Sequence, residues 1–375
     1  MLNFSESLER RSPCLFQGLT NTIFYCRRLA QYAISFKQEP KPSSEFIKLF
    51  NDRCDKAIGQ LALKSDFIPF TSDTPSVICL AHNEEYRIAA FIQHYLELGA
   101  KSIHVIDNES SDRTVEIAAK FPCVTIWSAR GSYLDAEYGN LWRGALSRHY
   151  GIGKWVLNLD ADEFIQYSHM EGKGLGDLQA WLEKRGQSSV AMAVIDMYPL
   201  TFDQSDVSHA QSARTLCSLL EESPYFDRPI RRVGSTCWIQ KNHRGMELKG
   251  GVRLRMMRHL ALNESPWLNV FPLIKWNDQT AYYAGSRHHI VPYEPNRELF
   301  LAVLLHFKFV GNFHRKIKEA IQQNQYWDNS KEYRRYDAWL EKKPMSALFD
   351  EMYSVKFSGY QSLIDKGLMQ PLKWS

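Results

Sequence analysis

The chain has 375 residues, 44% hydrophobic and 13% aromatic, with 46 Lys and Arg against 42 Asp and Glu. That is enough apolar material for one large elaborated domain or two, and it excludes a disordered chain. A net charge of +4 with no dense basic run excludes nucleic acid as the partner and leaves small anionic substrates open.

Seven scattered cysteines with no Cys-x-x-Cys pair point to a reducing compartment. The opening MLNFSESLERR carries acidic residues and no long apolar stretch, unlike a signal peptide, and no segment is long enough to span a bilayer. The expected location is therefore cytoplasmic. Residues 14–35 are apolar with Arg27 and Arg28 inside, which suits a helix packed on the main domain or lying at the inner face of a membrane.

Residues 1–70 read as helices, broken at Glu39-Pro-Lys-Pro-Ser-Ser44. Ser76–Ala81 is a buried-strand pattern, followed at once by His82-Asn83-Glu84-Glu85. Ile88, Phe91, Ile92, Tyr95 and Leu96 then fall at helical spacing, and Gly99 stops the helix. A second strand, Ser102–Ile106, runs into Asp107-Asn-Glu-Ser-Ser-Asp112, where Ser111 suits the cap of a helix that Pro122 ends. Val124–Trp127 is a third strand, and Tyr133–Tyr150 has the spacing of a helix closed by Gly151. The fourth strand, Trp155–Leu159, ends in Asp160-Ala-Asp162-Glu163.

Beyond it, DLQAWLEKRG reads as a helix and Ser189–Pro199 as a strand ending near Asp196. Residues 201–229 are polar and irregular, the kind of loop that carries specificity. Lys249-Gly-Gly-Val-Arg-Leu-Arg255 suggests close backbone approach to a ligand or a turn into a strand. LAVLLHFKFV reads as a strand that places His306 and Lys308 on one face. From Phe313 the chain is helical and basic, with Lys316, Lys318, Arg334 and Arg335 on a solvated face or against acceptor or anionic lipid.

Regular strand–helix alternation predicts an α/β fold with a mostly parallel central sheet and helices on both faces. If the first four strands order as 3-2-1-4, the carboxyl ends of the first and fourth flank the switch point where such sheets bind ligands. That arrangement brings His82–Glu84, Asp107 and Asp160–Asp162 to one rim. No Gly-x-Gly-x-x-Gly follows the first strand, so a dinucleotide site is not expected. In an extended backbone Asp160 and Asp162 point one way and Glu163 the other. Two like charges on a strand end favour a hard divalent cation, Mg2+ or Mn2+, completed by phosphates and water. The competing reading is a solvated acidic turn.

CLAHNEEYRIAAFIQHYLELGA, HVIDNESSDRT and LNLDADEF together resemble GT-A type glycosyltransferases of the family 2-like branch, over residues 75–167 and more loosely to about 310. The resemblance implies a GT-A, Rossmann-like domain at 71–312, its nucleotide half at 75–167 and acceptor half at 168–312, with helical extensions at 1–70 and 313–375. It implies transfer of a hexose from a nucleotide-diphosphate sugar, commonly UDP-linked, to a glycan or lipid-linked acceptor, with Mn2+ or Mg2+. His82, Asn83 and Glu84 match the segment along the nucleotide, and Asp107 the carboxylate at the base or ribose. Asp160 and Asp162 match the DxD pair, the first near ribose and metal-bound water, the second a metal ligand. Glu163 is typical of the branch. His306 is similar to a late metal-binding His and Lys308 to a lysine on the diphosphate, with His288 or His289 competing for the metal.

A departing diphosphate gains negative charge that a cation stabilises, and an inverting enzyme also needs a carboxylate base. Glu221, Glu222 and Asp227 are the candidates. Two alternatives remain at this stage: an aspartate-nucleophile phosphotransferase using Asp160, and an inactive nucleotide-sugar-binding module.

Overall fold

A computed structural model describes residues 44–201, 214–233, 246–262, 266–283, 286–291, 300–310, 313–342 and 348–374. Residues 14–35 and 202–213, considered above, lie outside the described residues. Pro42–Ser375 form one compact unit.

The described chain opens with α1 (Ser44–Ala57), a 3-10 turn at Ile58–Gln60 and a short strand β1 (Leu61–Leu63). The alternating core follows: β2 (Ser76–Ala81), α2 (Ile88–Glu97), β3 (Ile103–Asp107), α3 (Thr114–Ala118), β4 (Val124–Ala129), α4 (Asn140–Gly151) and β5 (Trp155–Asp160). A two-residue turn leads to β6 (Glu163–Tyr167), then α5 (Leu175–Lys184) and β7 (Ser189–Tyr198). The rest comprises α6 (Leu216–Glu222), β8 (Tyr225–Asp227), β9 (Pro229–Val233), β10 (Met246–Gly250), α7 (Gly251–His259), β11 (Asn269–Lys275), β12 (Ala281–Tyr283) and β13 (Ser286–Val291). It ends with β14 (Ala302–His306), α8 (Phe313–Gln323), α9 (Trp327–Lys342), β15 (Ser354–Lys356) and α10 (Tyr360–Asp365).

The sheet runs β1-β4-β3-β2-β5-β11-β7-β14-β6, with β8 and β15 added beyond β7. β4-β3-β2-β5 are mutually parallel in the order expected from the sequence. Their strands are almost wholly buried, because crossover helices cover a parallel sheet on both faces. β11 is antiparallel to both β5 and β7, and β14 lies parallel to β7. A second apolar cluster, built from Val252, Met256, Phe309, Phe313, Ile317, Tyr336 and Trp339 among others, joins α7, α8 and α9.

Four local expectations change. Leu61–Leu63 is a strand rather than helix, paired with Trp127–Ala129 at the sheet edge. The helix expected from Tyr133 starts at Asn140, because Glu137, Tyr138 and Gly139 all take positive φ. A Cβ on Gly139 would run into the Leu80 side chain, so glycine allows both the turn and the approach to β2. Ser111 does not cap α3: its N–H donates to Asn83 Oδ1 at 2.8 Å, and Asp112 Oδ1 takes the Thr114 N–H at 2.9 Å. The glycine pair at Gly250-Gly251 opens a helix, not a strand, since Val252, Met256 and Met257 then fall on one buried face.

Candidate active site

Register aligns the polar strand ends. Ala81 pairs with Asp107, Leu80 with Asp160, and His306 with both Asp196 and Glu163. The carboxyl ends of β2, β3, β5, β7 and β14, and the start of β6, therefore share one rim.

Asp160 is held by two arginines that are not among the residues expected at the site. Arg143 of α4, itself buried, pairs with Asp160 Oδ1, and Arg287 Nη2 donates to Oδ2 at 2.8 Å. Arg287 also pairs with Glu163 Oε2 at 2.9 Å and donates to the Asn158 carbonyl at 2.8 Å. Glu163 Oε2 in turn accepts the Asp160 N–H at 2.9 Å. Burial opposes ionisation of Asp160, but Arg143 and Arg287 outweigh it and hold the carboxyl below its usual range. The like-charge cost inferred from sequence is thus met by protein cations. Glu163 is a buried structural partner of Arg287, and Asp160 keeps 39% of its side chain exposed at the rim.

Asp162 sits in the turn between β5 and β6. Its Oδ2 lies 3.4 Å from His306 Nε2 and 3.9 Å from Arg87 Nη1. Burial works against its charge, yet His306 and Arg87 hold its pKa well below the carboxylate range. His306 Nδ1 meets Asp196 Oδ1 at 2.7 Å, and Arg253 Nε donates to the other Asp196 oxygen at 2.7 Å. Burial would lower the His306 pKa, but Asp162 and Asp196 raise it to about 9. Arg253 reaches Glu332 at 3.4 Å, and Lys308 Nζ meets the same oxygen at 3.2 Å. His306 and Lys308, expected together, therefore join one charge chain through different partners.

The His82–Glu84 loop is packed under α8. His82 Nδ1 lies 2.6 Å from the Asn108 carbonyl, and its Nε2 lies 2.9 Å from Gln323 Nε2. Asn83 Nδ2 donates to Glu319 at 3.3 Å. Glu84 accepts from Arg87 Nε at 2.8 Å and pairs with Lys316. Lys316 is thus no part of a solvated face; burial, then Arg87, pulls its pKa down. Lys318, by contrast, stays on the surface beside Asp337. Burial raises the pKa of Asp107, whose oxygens accept the Ser110 N–H at 3.3 Å.

The base candidates lie in other bonds. Glu222 Oε2 accepts from Tyr86 at 2.7 Å and Arg214 at 2.9 Å. Asp227 accepts from Arg255 at 2.9 and 3.1 Å and from Tyr198. Glu221 is exposed on α6. His288 Nδ1 faces the Asn269 carbonyl at 2.5 Å, and His289 packs on Trp267 at 4.6 Å. Both stand beside Arg287 in β13, and it is Arg287 that reaches Asp160 and Glu163. No local pattern marks Arg87, Arg143 and Arg287 for this network; it is their burial in the packed chain that requires a carboxylate partner.

Among the described residues no three His, Cys, Asp or Glu side chains form a complete metal-ligand set. The residues present nevertheless fit a divalent ion that takes its remaining ligands from outside the protein. Asp162 and His306 Nε2 face each other at 3.4 Å as an ion pair, and a bound ion would take the place of the His306 proton. The Asp196 carboxylate behind Nδ1 is the support that metal-binding histidines require.

The family model "Glycosyl transferase family 2" matches residues 76–173, about a quarter of the chain. No curated protein sequence matches it. Among similar solved structures are the glucosyl-3-phosphoglycerate synthase of Mycobacterium tuberculosis in complex with Mn2+, UDP and glucosyl-3-phosphoglycerate (18% identity, TM-score 0.23, 36% of this chain and 52% of that one). Another is a mannosyltransferase of Pyrobaculum calidifontis with GDP-Man and Mn2+ (20% identity, TM-score 0.24, 39% and 42%). A third is a 4-diphosphocytidyl-2C-methyl-D-erythritol synthase (11% identity, TM-score 0.24, 38% and 67%). The chain spans about half the length of the first two or less. The family match falls on the segment that carries His82–Glu84, Asp107 and Asp160–Glu163. Residues 76–173 are therefore the part of the chain that is similar to the glycosyl transferase family 2 model.

Proposed function

We propose that the chain transfers a hexose from a nucleotide-diphosphate sugar, UDP-linked in the first instance, to a glycan or lipid-linked acceptor with the help of Mn2+ or Mg2+. One observation carries this reading: Asp162 and His306 face each other at the switch point, with Asp196 fixing the imidazole from behind. Asp162 and His306 would hold the ion, which supplies positive charge where the departing diphosphate gains negative charge.

The other roles follow from placement on the rim. Asp107 and the His82–Glu84 loop are assigned to the nucleoside. Asp160, fixed by Arg143 and Arg287, presents its exposed edge to ribose or bound water. Lys308 is assigned to the diphosphate, which would compete with Glu332 for its ammonium. For the base, Glu222 is favoured over Asp227, with 24% of its side chain exposed against 7%. The neighbours with Mn2+ and UDP or GDP-Man are consistent with this donor class. Among the described residues no helix is long and apolar enough to cross a membrane.

Calorimetry with UDP tests the proposal. UDP should bind in the presence of Mn2+ and bind much more weakly without it, and Asp162→Ala should abolish the metal-dependent part. Unchanged affinity in that variant would contradict the reading.

A further inference from the structure

A row of tyrosines lies within electrostatic reach of the two aspartates. Tyr133, in the turn before α4, has its ring centroid 5.4 Å from that of Tyr326. Tyr326, between α8 and α9, lies 4.8 Å from Tyr333. The two segments are tied by the Tyr133 N–H, which donates to Gln325 Oε1 at 3.1 Å. Lys308 lies over one face of Tyr333, 4.9 Å from its centroid. All three rings are half-buried, and none of their hydroxyls hydrogen-bonds to another described residue.

The phenols lie within electrostatic reach of the Asp162 carboxylate, and burial pushes each phenol pKa upward. At neutral pH they are therefore uncharged hydrogen-bond donors. The backbone on both sides is strained: Glu137 and Tyr138 have φ of 51° and 58°, and Asp328, Asn329 and Ser330 have 50°, 55° and 56°. Left-handed conformations at five non-glycine residues cost free energy, and such strain collects where a site needs a fixed shape. Half-buried aromatic faces whose hydroxyls bond no other described residue suit a neutral pyranose. Its C–H face can lie on a ring, and its hydroxyls can bond at the edge.

We propose that Tyr133, Tyr326 and Tyr333 form the subsite for a neutral pyranose ring of the acceptor. This deepens the functional reading above and rests on it.

Saturation-transfer NMR on the whole protein tests it, with methyl α- and β-glucopyranoside, galactopyranoside and mannopyranoside as probes and no nucleotide or metal added. At least one pyranoside should show transfer to its axial C–H protons. The signal should fall about fivefold or more in Tyr326→Ala and Tyr333→Ala, and less in the corresponding Phe variants, which keep the ring. Adding UDP-glucose and Mn2+ should not displace the pyranoside. The Phe variants serve as the folded controls, and UDP·Mn2+ affinity measured by calorimetry on them and on Tyr326→Ala should match wild type. No transfer to any pyranoside, equal signals in wild type and the alanine variants, or displacement by UDP-glucose would each overturn the acceptor subsite. Failure of wild type to bind UDP·Mn2+ would overturn the donor reading instead, independently of the pyranoside result.

Discussion

Arg287 shows how much one buried residue can fix. Its guanidinium joins Asp160 to Glu163 and ties both to the Asn158 carbonyl of β5. Arg287→Met would leave Glu163 buried without its cation, and breaking a buried pair in this way costs about 3–5 kcal/mol. Urea unfolding should show that loss; a change below about 1 kcal/mol would mean Glu163 has another neutralising partner. At the opposite end of the site, Asp196 controls His306 through one hydrogen bond. Asp196→Ala should weaken Mn2+ binding by about 10–100-fold, the range for loss of the carboxylate behind a metal-binding histidine. His306→Ala should weaken it more than His289→Ala, because His306 faces Asp162 while His289 packs on Trp267. Mn2+ titrations followed by electron paramagnetic resonance would rank the three, and the reverse order of the two histidines would move the metal site.

Among the elements, α4 depends on how it begins. Gly139 precedes it at φ 77°, and its missing Cβ leaves room for Leu80. Gly139→Ala forces a left-handed alanine, a cost of about 1–2 kcal/mol before any clash is counted. A lowered urea midpoint with unchanged slope would show it. α8 is set by its polar stripe: Lys316, Glu319 and Gln323 recur at helical spacing and meet Glu84, Asn83 and His82 in turn. The same periodicity is visible in the sequence, but it reads equally well as a solvated face. Only the packing of Phe313, Ile317 and Ala320 inward decides which side meets the loop.

For the whole molecule, acid stability follows from two core histidines. His94 donates from Nε2 to the Ile165 carbonyl, and burial lowers its pKa to about 4. His104 accepts from the Trp127 indole at Nδ1 and donates from Nε2 to Ser102, and burial lowers its pKa to about 3. Above pH about 6.5 both are neutral in the folded and unfolded chain alike. As the pH falls below that, the unfolded chain takes up protons that the folded chain refuses, so stability drops until the folded pKa values are reached. At pH 5 each histidine should already have removed about 2 kcal/mol. Urea unfolding at pH 7 and pH 5 should differ accordingly, and His94→Gln should shrink the difference. An unchanged midpoint between the two pH values would contradict the neutral assignment.

The sequence by itself determined the alternation and the identity of the acidic strand ends, because local periodicity marks each element, while the strand order of the parallel half was one of the few that right-handed crossovers allow and the pairing decided it. It also carried the family segment, since that chemistry is written in contiguous motifs. Tertiary structure alone decided which cations meet those acids. Arg87, Arg143, Arg253 and Arg287 come from separate helices and strands, up to 127 residues from the carboxylate they serve. No local pattern distinguishes such an arginine from a solvated one; only burial, which is a property of the packed chain, forces it to find a partner.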